Sequence, residues 1–120
     1  MGLQELTVER YEGVAEDQRI LLLKGPITIE TTPQFERAVR NENAETMILD
    51  LSDVPYIDSA GLGSLVATHV SHQKRGRHLV LTGVKPRVSK VMEVTKTKDF
   101  FVTFATTWEA VEALANTGTA

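Results

Sequence analysis

Cysteine is absent from the 120-residue chain. That excludes disulfides, thiolate metal sites and a cysteine nucleophile, and it suits a reducing compartment. No apolar run approaches the ~18 residues that a membrane-spanning helix needs. The opening stretch "MGLQELTVERYEG" lacks a basic segment followed by an apolar one, so it does not read as a secretory leader. Leu6 stands where a myristoylation pattern wants Ser or Thr. Neither sign of charge dominates: 13 Lys and Arg against 16 Asp and Glu give a net charge of −3. Such a chain lacks the cationic surface that phosphate neutralisation requires, so no direct nucleic-acid contact is expected. Repeats and low-complexity linkers are also missing. Together these absences point to a cytoplasmic protein without membrane insertion.

What is present is an ordinary globular composition, with 42% hydrophobic and 24% charged residues. The length suits one domain over residues 1–120 and a core that needs no staple. "LTVERYE" and "RILLLKG" read as an N-terminal hairpin around the turn "GVAED". "PITIE" reads as a short third strand, with Pro26 at its edge. "TTPQFERAVRN" starts a helix, with Thr32 as N-cap, Pro33 in the first turn, and Phe35, Ala38 and Val39 inward. "TMILDLS" has strand chemistry on both faces, as a doubly covered strand should.

A second helix is predicted from about Ser59 to Arg75, with Leu62, Leu65, Val66, His69 and Val70 forming one stripe. Its other side carries Ala60, Ser64, Ala67, Thr68 and Ser71, small residues suited to receiving a partner. The basic cluster "HQKRGRH" (72–78) reads as a solvated helix end. "HLVLTGV" is a core strand. "PRVSKVMEV" is a helix with Val88, Val91 and Met92 inward, and "FFVTF" is a short strand. "TTWEAVEALA" closes as a helix whose Thr106 and Glu109 are spaced for a capping box. The order β-β-β-α-β-α-β-α-β-α implies an α/β fold. Its sheet is mixed but mostly parallel, with an N-terminal hairpin and about four helices.

Several motifs fail. "GLGS" lacks the GK[ST] ending of a phosphate-binding loop, and Ile57 occupies the first glycine position of a nucleophile elbow. His69 and His72 lie three apart but have no further ligands nearby in sequence. Asp50, Asp53 and Asp58 read as strand-end and turn residues rather than as a catalytic pocket. No metal, cofactor or catalytic residue is therefore expected, and the chain does not read as an enzyme.

The stretch "MILDLSDVPYIDSAGLGSLV" (47–66) poses the sharper question. Ser59 can cap a helix, yet Gly61 and Gly63 weaken that helix by up to about 1 kcal/mol each. A surface free of bulk around the hydroxyl would justify them. Phosphate on Ser59 would add about −1.5 to −2 charge where a helix N-terminus tolerates it and a docked partner does not.

That stretch resembles the signature of the STAS family, and above all of its bacterial anti-sigma factor antagonists: an apolar strand ending Asp-Leu-Ser, then Asp-Ser-Ala-Gly-Leu-Gly. The likeness runs through "HLVLTGVKPRVSKVMEV" to "FFVTFATTWEAVEAL". It implies a STAS-like fold and Ser59 as a phosphorylation site. The implied partner is an anti-sigma factor that is also a GHKL-type serine kinase; the unphosphorylated protein binds it and frees a sigma factor. A PP2C-type phosphatase would restore the active form. The implied contact region is Asp58, Ser59, Ala60, Gly61, Leu62 and Gly63, with Ser64, Ala67 and the loop after the second strand beside them. In that loop the family pattern has Asp, but "GPIT" places Thr28 there. This departure implies either a divergent kinase or a STAS scaffold or regulatory subunit of a stressosome or ABC lipid transporter. The apolar positions near Tyr56 and Phe100 are compatible with a dimer.

Overall fold

A computed structural model describes residues 5–15 and 17–117, with side chains as far as Leu114. The elements are β1 (Thr7–Glu12), β2 (Gln18–Lys24), α1 (Thr32–Arg40), β3 (Thr46–Asp53), α2 (Ser59–Lys74), β4 (His78–Thr82), α3 (Pro86–Val94), β5 (Val102–Phe104) and α4 (Thr107–Thr117). A single 3₁₀ turn, Lys98–Phe100, precedes β5.

The strands lie in chain order across one sheet. β1 and β2 pair antiparallel, and β2, β3, β4 and β5 run parallel. Each right-handed crossover steps in the same direction, so α1, α2 and α3 must cover the same face. The core confirms it: Phe35, Val39, Leu62, Leu65, Val88 and Met92 pack with Leu21, Leu23, Met47, Leu49 and Leu81. The alternate residues Ile48 and Val80 meet Ala110 and Val111 of α4 on the other face. Successive strand residues point to opposite faces, which explains why "TMILDLS" is apolar on both.

Four sequence expectations shift. "PITIE" forms no strand; Ile27 makes one isolated parallel bridge to Ile57. Pro26 has no N–H to extend a ladder, and Thr31 curls the chain instead. The Thr31 hydroxyl donates to the Pro26 carbonyl at 2.8 Å and accepts from Thr28 N at 2.8 Å. The same residue, not Thr32, is the N-cap of α1, and Pro33 follows Thr32 in the first turn. Asp58, not Ser59, is the N-cap of α2. Asp50 lies inside β3 rather than closing it, and its Oδ2 accepts from the Thr107 hydroxyl at 2.8 Å. That bond fastens the start of α4 to the sheet and turns Asp50 away from α2, so the three aspartates share no pocket. Among the described residues no group of His, Asp and Glu could hold a metal. None of the described helices is long and apolar enough to cross a membrane.

The two glycines of α2 have different tasks. Gly61 is buried, and a Cβ there would lie 1.9 Å from the Ile27 carbonyl oxygen. It lets the helix approach the loop after β2 at backbone distance. Gly63 is exposed, and a Cβ would meet nothing within 4 Å. Gly61→Ala should therefore cost roughly 1–3 kcal/mol through overpacking. Gly63→Ala should gain about 0.4–1 kcal/mol from helix propensity and a stiffer unfolded chain. Urea unfolding of the two variants checks this, and equal effects would contradict it.

Candidate functional site

β2, β3 and β4 end at Lys24, Asp53 and Thr82 on one edge of the sheet, where open parallel sheets place their functional loops. The loop after β3 delivers Asp58 in an extended conformation, φ −105° and ψ −175°, which suits a cap. Its Oδ1 accepts from Gly61 N at 2.8 Å. Its Oδ2 accepts from Ile29 N at 3.1 Å. Its own N–H donates to the Ile27 carbonyl at 3.2 Å, and Ile27 N donates to the Tyr56 carbonyl at 3.2 Å. One residue therefore starts α2 and ties the loop after β2 to it.

With Asp58 as the cap, Ser59 is released from that duty. It is the first residue of α2 and is exposed, and its hydroxyl makes no hydrogen bond among the described residues. Ala60 beside it and Thr28, in the loop that Asp58 ties to α2, are half-buried, and Gly63 and Ala67 are exposed further along α2. Gly61, Leu62 and Ser64 face inward. Leu62 enters the core, and the Ser64 hydroxyl donates to Glu36 Oε2 of α1 at 2.7 Å. The site residues expected from sequence thus divide into an exposed rim and a buried support.

Sequence reasoning missed Ile29, which is 69% exposed at the rim. Read as part of a short strand, "PITIE" gave no sign of this exposure, and the Thr31 turn accounts for it. It also chose the wrong cap because Asp and Ser are equally good caps and stand side by side. Nearby, the Arg87 guanidinium of α3 stacks on the Tyr56 ring at 4.8 Å.

Two histidines line the inner side of α2. His69 packs against Phe100 and Phe101, with ring centroids 5.1 and 5.5 Å away. Burial pushes its pKa down. His72 is also held low, first by burial and then by the charges of Arg77 and Arg75, against a raising contribution from the Thr68 carbonyl.

A family model for the STAS domain matches residues 5–110. An anti-sigma-B factor antagonist of Staphylococcus epidermidis is 30% identical over 78 residues, covering 62% of this chain and 72% of that protein. The solved structure of a candidate anti-sigma factor antagonist from Thermotoga maritima superposes with a TM-score of 0.80 at 26% identity, covering 88% of this chain and 92% of that one. The unphosphorylated form of the anti-sigma factor antagonist SpoIIAA gives a TM-score of 0.72 at 18% identity, covering 92% and 97%. That last likeness speaks for the fold alone.

The depressed histidines set a pH dependence. The unfolded chain takes up protons near pH 6.5 and the folded chain resists them, so this stability is complete above about pH 6.5 and is lost as pH falls through the lower folded values. Urea midpoints should drop between pH 7 and about 5.5. The double variant His69→Gln, His72→Gln should flatten the slope, and an unchanged slope would assign it elsewhere.

Proposed function

Because the chain belongs to the STAS domain family, we propose that it is an anti-sigma factor antagonist that works by partner switching, with Ser59 as the modified residue. The observation that carries this reading is the exposed Ser59 hydroxyl, unpartnered among the described residues, beside a different residue that does the capping. A serine that caps its helix would lose that bond on modification. Here Asp58 keeps the cap, so the hydroxyl can be esterified with little effect on the fold.

Unphosphorylated, the rim of Thr28, Asp58, Ser59, Ala60 and Gly63, continuing to Ala67, docks on an anti-sigma factor that is also a GHKL-type serine kinase. Docking releases the sigma factor. Gly61, Leu62 and Ser64 hold the rim in place from beneath. Transfer of the γ-phosphoryl group of ATP to Ser59 Oγ, with release of ADP and loss of the hydroxyl proton, adds about −1.5 to −2 charge next to the Asp58 carboxylate. The helix N-terminus accommodates that charge. A close-fitting partner meets bulk and two adjacent anions at the centre of its interface, which ejects it. A PP2C-type phosphatase reverses the state. The naming of the staphylococcal relative supports the assignment.

Thr28 favours a second reading, in which the chain is a STAS scaffold or regulatory subunit of a stressosome or ABC lipid transporter. Its hydroxyl accepts from Glu30 N at 3.3 Å within the loop, so it supplies no carboxylate to a kinase site.

Binding to the cognate anti-sigma factor separates the two. Ser59→Asp should weaken it by roughly a hundredfold, the scale of a few kcal/mol for an uncompensated charge in an interface. The melting temperature should move by less than about 4 °C. A variant that unfolds, or one that binds as wild type, contradicts the switch. Gly63→Leu should keep the fold and impair docking, since its position opens to solvent; unchanged affinity would move the interface away from α2.

A further inference from the structure

Two features of the sequence are not used up by the proposed docking rim: the far part of the small-residue side of α2, from Ala67 to Ser71, and the basic cluster at its end. They meet in one groove of about 360 Å³ between α1 and α2. Ala67, Thr68 and Ser71 leave room along its length. Arg40 from the end of α1, and Arg75 and Arg77 from the end of α2, line it. Among the described residues, none of these three arginines has an ion pair.

The carboxylates of the groove are already engaged. Buried Glu42 is bound by Arg10 and, at 2.8 Å, by Arg19. Glu36 accepts from the Ser64 hydroxyl at 2.7 Å. Both helices end here, and each presents about half a negative charge. At the end of α2, Arg75, Gly76 and Arg77 N–H groups already satisfy the His72 and Gln73 carbonyls. Three full positive charges outweigh these partial ones together with the one full negative charge of Glu36, which the Ser64 hydroxyl does not neutralise.

His72 supplies an independent sign. It is 7% exposed and lines the same groove. Its Nδ1 lies 3.0 Å from the Thr68 carbonyl, which only accepts, so Nδ1 carries the proton. That leaves Nε2 a buried acceptor without a hydrogen-bond partner among the described residues. Such groups are rare and costly. Protonating Nε2 would create a donor, but the charges of Arg75 and Arg77 oppose it. An anion in the groove removes that opposition.

We propose that this groove binds a soluble small molecule through a phosphate-class anionic group, held by Arg40, Arg75 and Arg77. Its volume sits at the lower end of small-molecule sites. Along the 16-residue helix the arginine end of the groove lies roughly 24 Å from Ser59, while its near end adjoins the docking rim at Ser64 and Ala67; the proposal does not rest on the switch reading.

Backbone-amide NMR of the full chain, titrated with pyrophosphate at constant ionic strength, tests it. The proposal expects saturable shifts at Arg40 and at 68–77, none at 58–63, and a raised His72 pKa in the bound form. Arg75→Ala with Arg77→Ala should weaken binding about tenfold or more, as loss of charge-assisted hydrogen bonds requires. Lys85→Ala with Lys90→Ala, which removes two exposed cations near α3, should leave it unchanged. Non-saturating shifts, shifts at every surface cation, or binding indifferent to Arg75 and Arg77 would overturn the site. Phosphatidylglycerol vesicles distinguish the source of the phosphate. Failure to sediment with them supports a soluble ligand, and sedimentation that depends on Arg75 and Arg77 would overturn it in favour of a lipid headgroup.

Discussion

The Asp58 carboxylate holds two segments of chain at once. One oxygen accepts from Gly61 N and starts α2; the other accepts from Ile29 N and fixes the loop after β2. A cap of this kind contributes about 1 kcal/mol, and the second bond adds a long-range tie across 29 residues. The remaining features of the rim follow from this clasp. Gly61 must be glycine because the clasp draws the helix against the Ile27 carbonyl. Ser59 is free because the clasp does the capping. Ile29 is exposed because its backbone, not its side chain, is what the fold uses.

The sheet makes that clasp affordable. Parallel strands in chain order place three helices on one face, so the start of α2 and the loop after β2 emerge side by side at the same edge. Among the described residues α4 is the helix that covers the other face, tied down by the Asp50–Thr107 bond. The rim therefore sits on a rigid frame, and a change of charge at Ser59 can alter what docks there while the frame stays as it is. At the far end of α2 a different chemistry gathers, with arginines and a buried histidine replacing the glycines and the serine.

Element type and order were largely legible because the apolar period of each segment is clear, from the two-faced "TMILDLS" to the stripe of α2. The position of Ser59 at the mouth of α2 was legible for the same reason. What failed was local and chemical. Adjacent Asp and Ser compete for one cap, and residue type cannot rank them. "PITIE" alternates as a strand does, but Pro26 and the Thr31 hydroxyl decide its path through bonds that no periodicity reports. Both glycines looked like gifts to a partner, yet Gly61 serves the chain's own backbone and only Gly63 is open. His72 looked like part of a solvated basic end, and it is buried because the α1–α2 contact reaches further down the helix than the leucine stripe implies.

The central claim is that the Ser59 hydroxyl is left free by Asp58 in order to be modified. Intact-mass spectrometry of the protein from its native cells, with and without phosphatase and followed by site mapping, tests it most directly. The account predicts one phosphate, on Ser59, whose occupancy changes with growth condition. A chain that carries no phosphate through stress and stationary phase, or carries it on another residue, would contradict it.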